Sequence, residues 1–369
     1  MDGKLVLVDG HSILNRAFFG IPDLTNSEGL HTNAVYGFLN ILFKILDEEQ
    51  PDYLTVAFDV HAPTFRHKMY DAYKGTRKPM AEELRQQVPL MKEMLTAMGV
   101  TIVEKEGYEA DDLLGTIAKQ SEAQGLEVSI VSGDRDLLQL ASDHIKIRIP
   151  KTKRTGTEIE DYLAKDVVEK YQVTPLQFID VKALMGDSAD NIPGVPGIGE
   201  KTATALIVSY GSIENAHDHL EEIKPNRAKQ NLSEHYDMAQ MSKELATIEI
   251  HAPIEYSLED AKLGNLFTEE AYLMCKRLEF KNMLSRFDID APKNLAEEHF
   301  TFVTDKKQIS DIFKKAKKAG HIGCCLLPGE GIITEQLSLF EQPKEQQVIE
   351  GMSIAFSEED IYYLSAGTE

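Results

Sequence analysis

The chain has no tryptophan and only three cysteines among its 369 residues. Cys275 stands alone and Cys324 and Cys325 are adjacent. That leaves no CxxC spacing for a disulfide framework or a thiolate zinc site, and structural thiols are expected. There is no apolar run of the roughly 20 residues that a membrane helix needs. Asp2 and Lys4 fall where a secretory signal would place its apolar segment, so a cytoplasmic location is expected. Positive charge is also scarce: 39 Lys and Arg face 61 Asp and Glu, a net charge of −22. Taken as a sum, that argues against a nucleic-acid partner. Binding follows local potential, however, and the few cations are clustered. Arg66, Lys68, Lys74, Arg77 and Lys78 fall within thirteen residues, and Lys146, Arg148, Lys151, Lys153 and Arg154 within nine. The second strip reads equally well as a solvated face. Hydrophobic content of 42% with 27% charged residues is that of an ordinary soluble protein, and the length allows two domains and part of a third.

What the chain does have is acid where strands end. Leu5-Val-Leu-Val8, Leu54-Thr-Val-Ala-Phe58 and Val128-Ser-Ile-Val131 are short apolar runs of the kind buried on both faces of a parallel sheet. They are followed by Asp9, by Asp59, and by Asp134 and Asp136. Glu109, Asp111 and Asp112 open a helical stretch, where the positive end of the dipole tolerates carboxylates. Asp187 and Asp190 follow another. In an open α/β sheet the carboxyl ends of the strands form the ligand crevice, so acids distant in sequence can face one site. Like charges about 4 Å apart repel by roughly 4 kcal/mol at an effective dielectric near 20. Nine converging acids therefore call for a divalent cation. Any one of them could be an ordinary turn or cap aspartate, but that reading would have to be repeated at every site.

Residues 1–172 read as alternating strands and helices, including a helix from Asn33 whose Val35, Phe38, Leu39, Leu42, Ile45 and Leu46 form one apolar stripe. A helix is expected over 81–98, and the basic segment lies in 60–95. Residues 173–287 are expected to be helical, with Thr174-Pro175 as a helix start. Within them, the stretch 183–206 carries Gly194, Gly197 and Gly199. It follows a helix rather than a strand, which excludes a dinucleotide fingerprint. Successive backbone N–H groups there, with Lys201, would suit one phosphate of a nucleic-acid strand. Residues 288–298 read as a polar linker, 335–347 as a loop, and 299–369 as the start of another α/β unit.

The set Asp9-Gly-His-Ser, Arg16-Ala-Phe-Phe, Phe58-Asp59, Thr64-Phe-Arg66, Tyr73-Lys74-x-x-Arg77, Glu109-Ala-Asp-Asp112, Gly133-Asp-x-Asp136 and Met185-Gly-Asp-x-x-Asp-Asn-Ile-Pro-Gly-Val-Pro-Gly-Ile-Gly-Glu-Lys-Thr-Ala203 resembles the flap endonuclease family. The form it resembles is the 5′-nuclease domain of bacterial DNA polymerase I. The resemblance implies an α/β, PIN-like fold, with a mostly parallel central sheet and helices on both faces. A helical domain with a helix-hairpin-helix type loop follows. It implies hydrolysis of DNA at 5′ flaps, nicks or RNA-primed 5′ ends, with two Mg²⁺ (Mn²⁺ as an alternative) and a candidate monovalent cation at the glycine loop. Asp9, Asp59, Glu109 and Asp111 would serve one metal, and Asp134, Asp136 and Asp187, sharing Asp111, the other. Asp112 and Asp190 would be outer members. Arg66, Lys74 and Arg77 would act on the 5′ strand and the transition state. Arg16, Tyr73, Gly194, Gly197, Gly199, Lys201 and Thr202 would bind DNA. His11 reads as incidental, and Tyr36 as core or as a stacking ring.

The resemblance further implies a bacterial, nucleoid-associated monomer joined to a polymerase domain. The tail resembles the beginning of a 3′-to-5′ exonuclease domain, but Ile322-Gly-Cys-Cys-Leu-Leu327 stands where that domain would carry its Asp-x-Glu pair, so no proofreading activity is expected. A noncatalytic DNA-junction binder and a PIN-like ribonuclease are the rival readings.

Overall fold

The computed structural model describes residues 3–153, 156–224, 226–287, 300–319, 321–335, 344–357 and 360–365. The expected linker 288–298 and residues 336–343 of the expected loop lie outside them. Residues up to Phe287 form one unit and those from Asp288 another.

The first unit begins with β1 (Lys4–Asp9), α1 (Gly10–Gly20), α2 (Asn33–Glu49), β2 (Tyr53–Ala57), α3 (Phe65–Met69), α4 (Glu82–Arg85), α5 (Gln87–Ala97) and β3 (Thr101–Val103). It continues with α6 (Ala110–Ala123), β4 (Glu127–Val131), β5 (Ile145–Lys153), β6 (Gly156–Tyr162) and α7 (Ala164–Tyr171). The strands lie in the order β3-β2-β1-β4-β5-β6, parallel except for β6, which pairs antiparallel with β5. The apolar stripe of α2 is buried throughout, as its spacing predicts. Tyr36 packs its ring against Phe280 at 5.3 Å, on the core side.

Two local expectations change. The helix expected over 81–98 is broken between Arg85 and Gln87. Pro89 has no N–H to give to the Arg85 carbonyl, so the helical ladder lapses there. Gln87 is then buried, and its side-chain oxygen accepts the Ala34 N–H at 2.8 Å at the start of α2. The second basic strip is strand β5, where Ile145, Ile147 and Ile149 alternate into the core. Three of its cations are taken up by ion pairs, Arg148 with Glu49 and Asp161, both at 2.8 Å, Lys146 with Glu49 at 2.6 Å, and Lys151 with Glu160, while Arg154 lies outside the described residues.

The helical part comprises α8 (Pro175–Met185), α9 (Glu200–Tyr210), α10 (Ile213–Asp218), α11 (Asn226–Glu234), α12 (Tyr236–Ala246), α13 (Glu269–Arg277) and α14 (Lys281–Leu284). It shares a core with the sheet: Leu5, Ile130 and Ile147 belong to the same buried cluster as Leu184, Ile198, Leu206 and Ala239. That continuity fixes the loop after α8 against the strand ends.

The second unit has β7 (Phe300–Val303), α15 (Lys306–Lys318), β8 (Gly323–Glu335), β9 (Lys344–Ser357) and β10 (Asp360–Ser365), with sheet order β7-β10-β9-β8. Val303, Ile312, Ile354 and Leu364 form its small core. Cys275 is buried as expected, whereas Cys324 and Cys325, on β8, are exposed. Among the described residues, no helix is long and apolar enough to cross a membrane.

Candidate active site

The chain leaves β1 toward β2 and β3 on one side and returns to β4 on the other, so the topological switch lies between β1 and β4. Asp9 ends β1 and caps α1: its Oδ1 accepts the Ser12 N–H at 3.0 Å, and its Oδ2 accepts the Ser132 hydroxyl at 2.7 Å across the switch. Ser12 Oγ in turn accepts the Gly133 N–H at 2.9 Å. Asp59 accepts the Ala110 N–H at 2.8 Å at the start of α6, and its own N–H donates to His11 Nδ1 at 3.1 Å. His11 therefore orients the β2 loop, a role its sequence context did not reveal.

Asp9, Asp59, Glu109, Asp111, Asp134, Asp136 and Asp187 line one open cleft of about 1080 Å³. Asp112 and Asp190 are not part of its lining. The cations sort these acids. Lys74 Nζ meets Glu109 at 2.7 Å, Arg77 meets Asp190, and Lys182 joins Asp136 (2.8 Å) to Asp187. Asp9, Asp59, Asp111 and Asp134 have no Lys or Arg partner among the described residues. Burial pushes Asp9 up to about 6, against the pull of its two serine hydrogen bonds. Burial, reinforced by the charges of Asp9, Asp134 and Asp59, lifts Asp111 well above the carboxylate range. Burial and Asp134 lift Asp136 to about 7 despite Lys182. Asp59 goes the other way: burial raises it, but the His11 and Ala110 contacts outweigh that and hold it low.

The donors facing this space are carboxylate oxygens, the set that suits a hard divalent cation. No three His, Cys, Asp or Glu among the described residues close into a cage. A cation here would keep part of its water shell, as Mg²⁺ does.

Besides Asp190, which Arg77 holds, three residues expected at the cleft are placed elsewhere. Asp112 is fully buried and takes both terminal nitrogens of Arg66 at 2.8 Å, together with the Glu109 and Glu249 N–H groups at 2.9 Å. As the third residue of α6 it points back into the protein, so it cannot reach a metal. Arg66 is 2% exposed, and its remaining donors go to the Leu245 and Thr247 carbonyls at 2.9 and 2.7 Å and to Glu109 at 3.4 Å, which leaves none for a DNA strand. Tyr73 is 3% exposed, and its hydroxyl donates to Glu109 at 3.1 Å, so its ring cannot stack on a base.

The basic segment is fastened to the loop after α8. Lys74, at φ 54°, donates its N–H to Asp190 O at 2.8 Å, and Asn191, at φ 56°, donates from its side chain to Ala72 O at 2.6 Å. Such non-glycine left-handed conformations persist where surrounding contacts over-determine them. Residues 75–80 of the segment are exposed. Arg16 and Arg135 also line the cleft, with no ion pair among the described residues; Arg16 Nε is buried without a hydrogen-bond partner. Phe19, beside them, is 75% exposed. Arg135 and Lys182 were missed in the sequence, because nothing local marks a lysine five residues before Asp187 as its partner.

The three glycines of the loop differ. Gly194 has φ +63° and gives its N–H to Ser242 Oγ at 3.1 Å, so that group is not open to a phosphate. A Cβ there would fall 2.4 Å from Gly186 N. Gly197 (φ +75°) and Gly199 (extended, before α9) are exposed, as is Lys201, while Thr202 is half-buried. Gly194→Ala is expected to cost well over 1 kcal/mol in urea unfolding, through backbone strain and overlap. Gly199→Ala, whose Cβ would meet nothing within 4 Å, should stay within about 0.5 kcal/mol. Equal costs at the two positions would contradict this assignment.

An α/β sheet with a carboxylate-walled cleft at its switch point, joined to helices through a glycine turn, defines a resolvase-like class. Residues 4–172 match the 5'-3' exonuclease N-terminal resolvase-like domain and residues 173–269 the 5'-3' exonuclease C-terminal SAM fold. The chain belongs to the 5'-3' exonuclease family. It is 47% identical over 304 residues to DNA polymerase I of Bacillus caldotenax, covering 82% of this chain and 34% of that one. It is 47% identical over 288 residues to DNA polymerase I of Bacillus subtilis (strain 168), covering 78% and 32%. The chain thus spans about a third of the length of these relatives. Its fold is similar to that of the bacteriophage T5 flap endonuclease in a pseudo-enzyme-product complex with DNA and metal ions, with a TM-score of 0.56, 23% identity and coverage of 75% of this chain and 99% of that one.

Proposed function

We propose that the chain is a structure-specific 5′-nuclease that hydrolyses DNA phosphodiesters near junctions of a 5′ single strand with a duplex. The observation that carries this reading is the group Asp9, Asp59, Asp111 and Asp134, uncountered by Lys or Arg among the described residues, in a cleft whose wall also bears Arg16, Lys74, Arg77 and Arg135. Two Mg²⁺, with Mn²⁺ as an alternative, would be held by those four acids with Asp136 and Asp187, and would supply Lewis-acid polarisation of the phosphate and activation of water.

The chain's own residues do the rest. Ser12 and Ser132 fix both oxygens of Asp9, and the Ala110 N–H and His11 fix Asp59, so these carboxylates are preorganised. Glu109 aims the Lys74 ammonium at the cleft, where Lys74 and Arg77 neutralise charge that develops on the phosphate. The exposed Phe19 ring offers a stacking surface to an unpaired base. Gly197, Gly199, Lys201 and Thr202, with a monovalent cation, would hold one backbone of the duplex without reading its sequence. The substrates would be flaps, nicks and RNA-primed 5′ ends, with a DNA polymerase domain as the functional partner in primer removal and repair. No reaction is assigned to the second unit, whose Ile322-Gly-Cys-Cys-Leu-Leu327 segment carries no acid.

The test is cleavage of a labelled 5′-flap duplex with Mg²⁺, with EDTA, and by the Asp111→Asn variant. Cleavage is expected only in the first case. Persistence in EDTA would sink the cation assignment, and an inert intact protein would favour a noncatalytic junction binder. Preference for single-stranded RNA would favour a PIN-like ribonuclease.

A further inference from the structure

Apart from Glu109, which Lys74 holds, two groups of acids share the cleft and are treated differently by the protein. Asp9, Asp59, Asp111 and Asp134 face it without a Lys or Arg partner among the described residues, whereas Asp136 and Asp187 are already joined by Lys182. Lys182 sits in the last turn of α8, with its ammonium 2.8 Å from Asp136 Oδ1 and in contact with Asp187 Oδ2. The other Asp187 oxygen is occupied as well, accepting the Ala189 N–H at 2.7 Å and the Asp190 N–H at 3.4 Å. The side chain is mostly buried, and α8 is held by the shared core, so the ammonium is placed by packing and is not a loose surface pair.

We propose that Lys182 is a built-in counter-cation that occupies the second cation position of the free protein, so that the two divalent sites fill in order. The first ion enters among Asp9, Asp59, Asp111 and Asp134. The second reaches Asp136 and Asp187 only as the Lys182 ammonium withdraws. The displaced ammonium remains in the cleft wall, where a substrate phosphate is its natural new partner. Lys182 is thus a positioning residue: it acts on Asp136 and Asp187 and sets the spacing between the two binding affinities. This inference rests on the two-cation reading proposed above.

Calorimetric titration of the DNA-free full chain with Mn²⁺ tests it. The native protein should show one tight site and a second at least about tenfold weaker. In Lys182→Met the ratio of the two affinities should shrink by about tenfold, because a competing unit charge has gone. Lys182→Arg, which keeps the charge, should retain the native ratio. An unchanged ratio in Lys182→Met would overturn this inference alone, while absence of any divalent binding by the native protein would overturn the two-cation reading and this inference with it.

If Lys182→Met fails to fold, the native protein still decides the matter by NMR of the ¹⁵N-labelled lysine ammonium. The Lys182 signal should hold its position through the first equivalent of Mg²⁺ and shift as the second fills. A shift complete at one equivalent would overturn the ordering.

Discussion

Asp111→Asn should abolish cleavage, by at least about a hundredfold, and at the same time raise the melting temperature of the cation-free protein at pH 8. The two effects have one cause. Asp111 lies where burial and the charges of Asp9, Asp134 and Asp59 all oppose its ionisation. Its folded-state pKa is therefore raised, as are those of Asp9, to about 6, and Asp136, to about 7. A group raised in this way contributes its stabilisation below the unfolded value near 4 and loses it as pH climbs through the folded value. At pH 8 Asp9 and Asp136 are ionised at a cost, and a charge on Asp111 would be both desolvated and repelled by its acidic neighbours. Removing that charge relieves its desolvation and its repulsion of the others. The relief should appear as a higher melting temperature wherever the native carboxyl would be driven to ionise. The gain should shrink as pH falls toward 4, and saturating Mg²⁺ should reverse the order by stabilising the native protein more than the variant. Thermal scans at pH 8, 6 and 4, with and without Mg²⁺, check it. A variant that melts below the cation-free native protein at pH 8 would show that Asp111 is held by contacts rather than strained by its neighbours.

Arg66→Met should have the largest effect on stability, about 3–5 kcal/mol in urea unfolding. The reason is the position of its partner. Asp112 is fully buried, and without the guanidinium its carboxylate would stay in the interior with only backbone N–H donors. The same arginine also ties the Leu245 and Thr247 carbonyls to the base of α6, so the loss would loosen the helical part from the sheet. Arg66→Lys would not restore the site, because an ammonium cannot make the paired contacts of the fork. The double variant Arg66→Met with Asp112→Leu should recover much of the loss, since a buried ion pair exchanged for apolar groups of similar volume is often near neutral. Activity of the single variant should fall in step with its folded fraction. If Arg66→Met unfolds at the native urea concentration yet loses turnover, Arg66 acts on substrate and the assignment made from its burial is wrong.

Much of the first unit was legible because strands and helices announce themselves locally. The runs before Asp9, Asp59 and Asp134 became β1, β2 and β4, and the stripe of α2 was buried residue for residue. The hairpin of β5 and β6 was overlooked because its lysines and arginines read as a surface strip, although Ile145, Ile147 and Ile149 already alternated with them. The ion pairs of Arg148 and Lys146 with Glu49 depend on a helix about a hundred residues away, which no window of sequence displays. For the same reason Asp112 and Tyr73 looked available to ligands: the chain shows a residue's chemistry but not which side of a helix its neighbours have already claimed.

The sequence by itself therefore determined the inventory: acids placed at strand ends and helix starts, a cluster of cations between two of them, and glycines at a helical turn. Backbone propensity and hydrophobic spacing are local properties, so these positions could be read without the fold. Only the tertiary structure decided how the charges were partnered. It set Arg66 on Asp112, Lys74 on Glu109, Arg77 on Asp190 and Lys182 between Asp136 and Asp187. It left Asp9, Asp59, Asp111 and Asp134 without a Lys or Arg among the described residues. Pairing depends on separation and burial in three dimensions, and Coulomb energy changes several-fold between a solvated and a dry neighbour. Which acids are spent on holding the protein together, and which remain for a cation, is thus a property of packing.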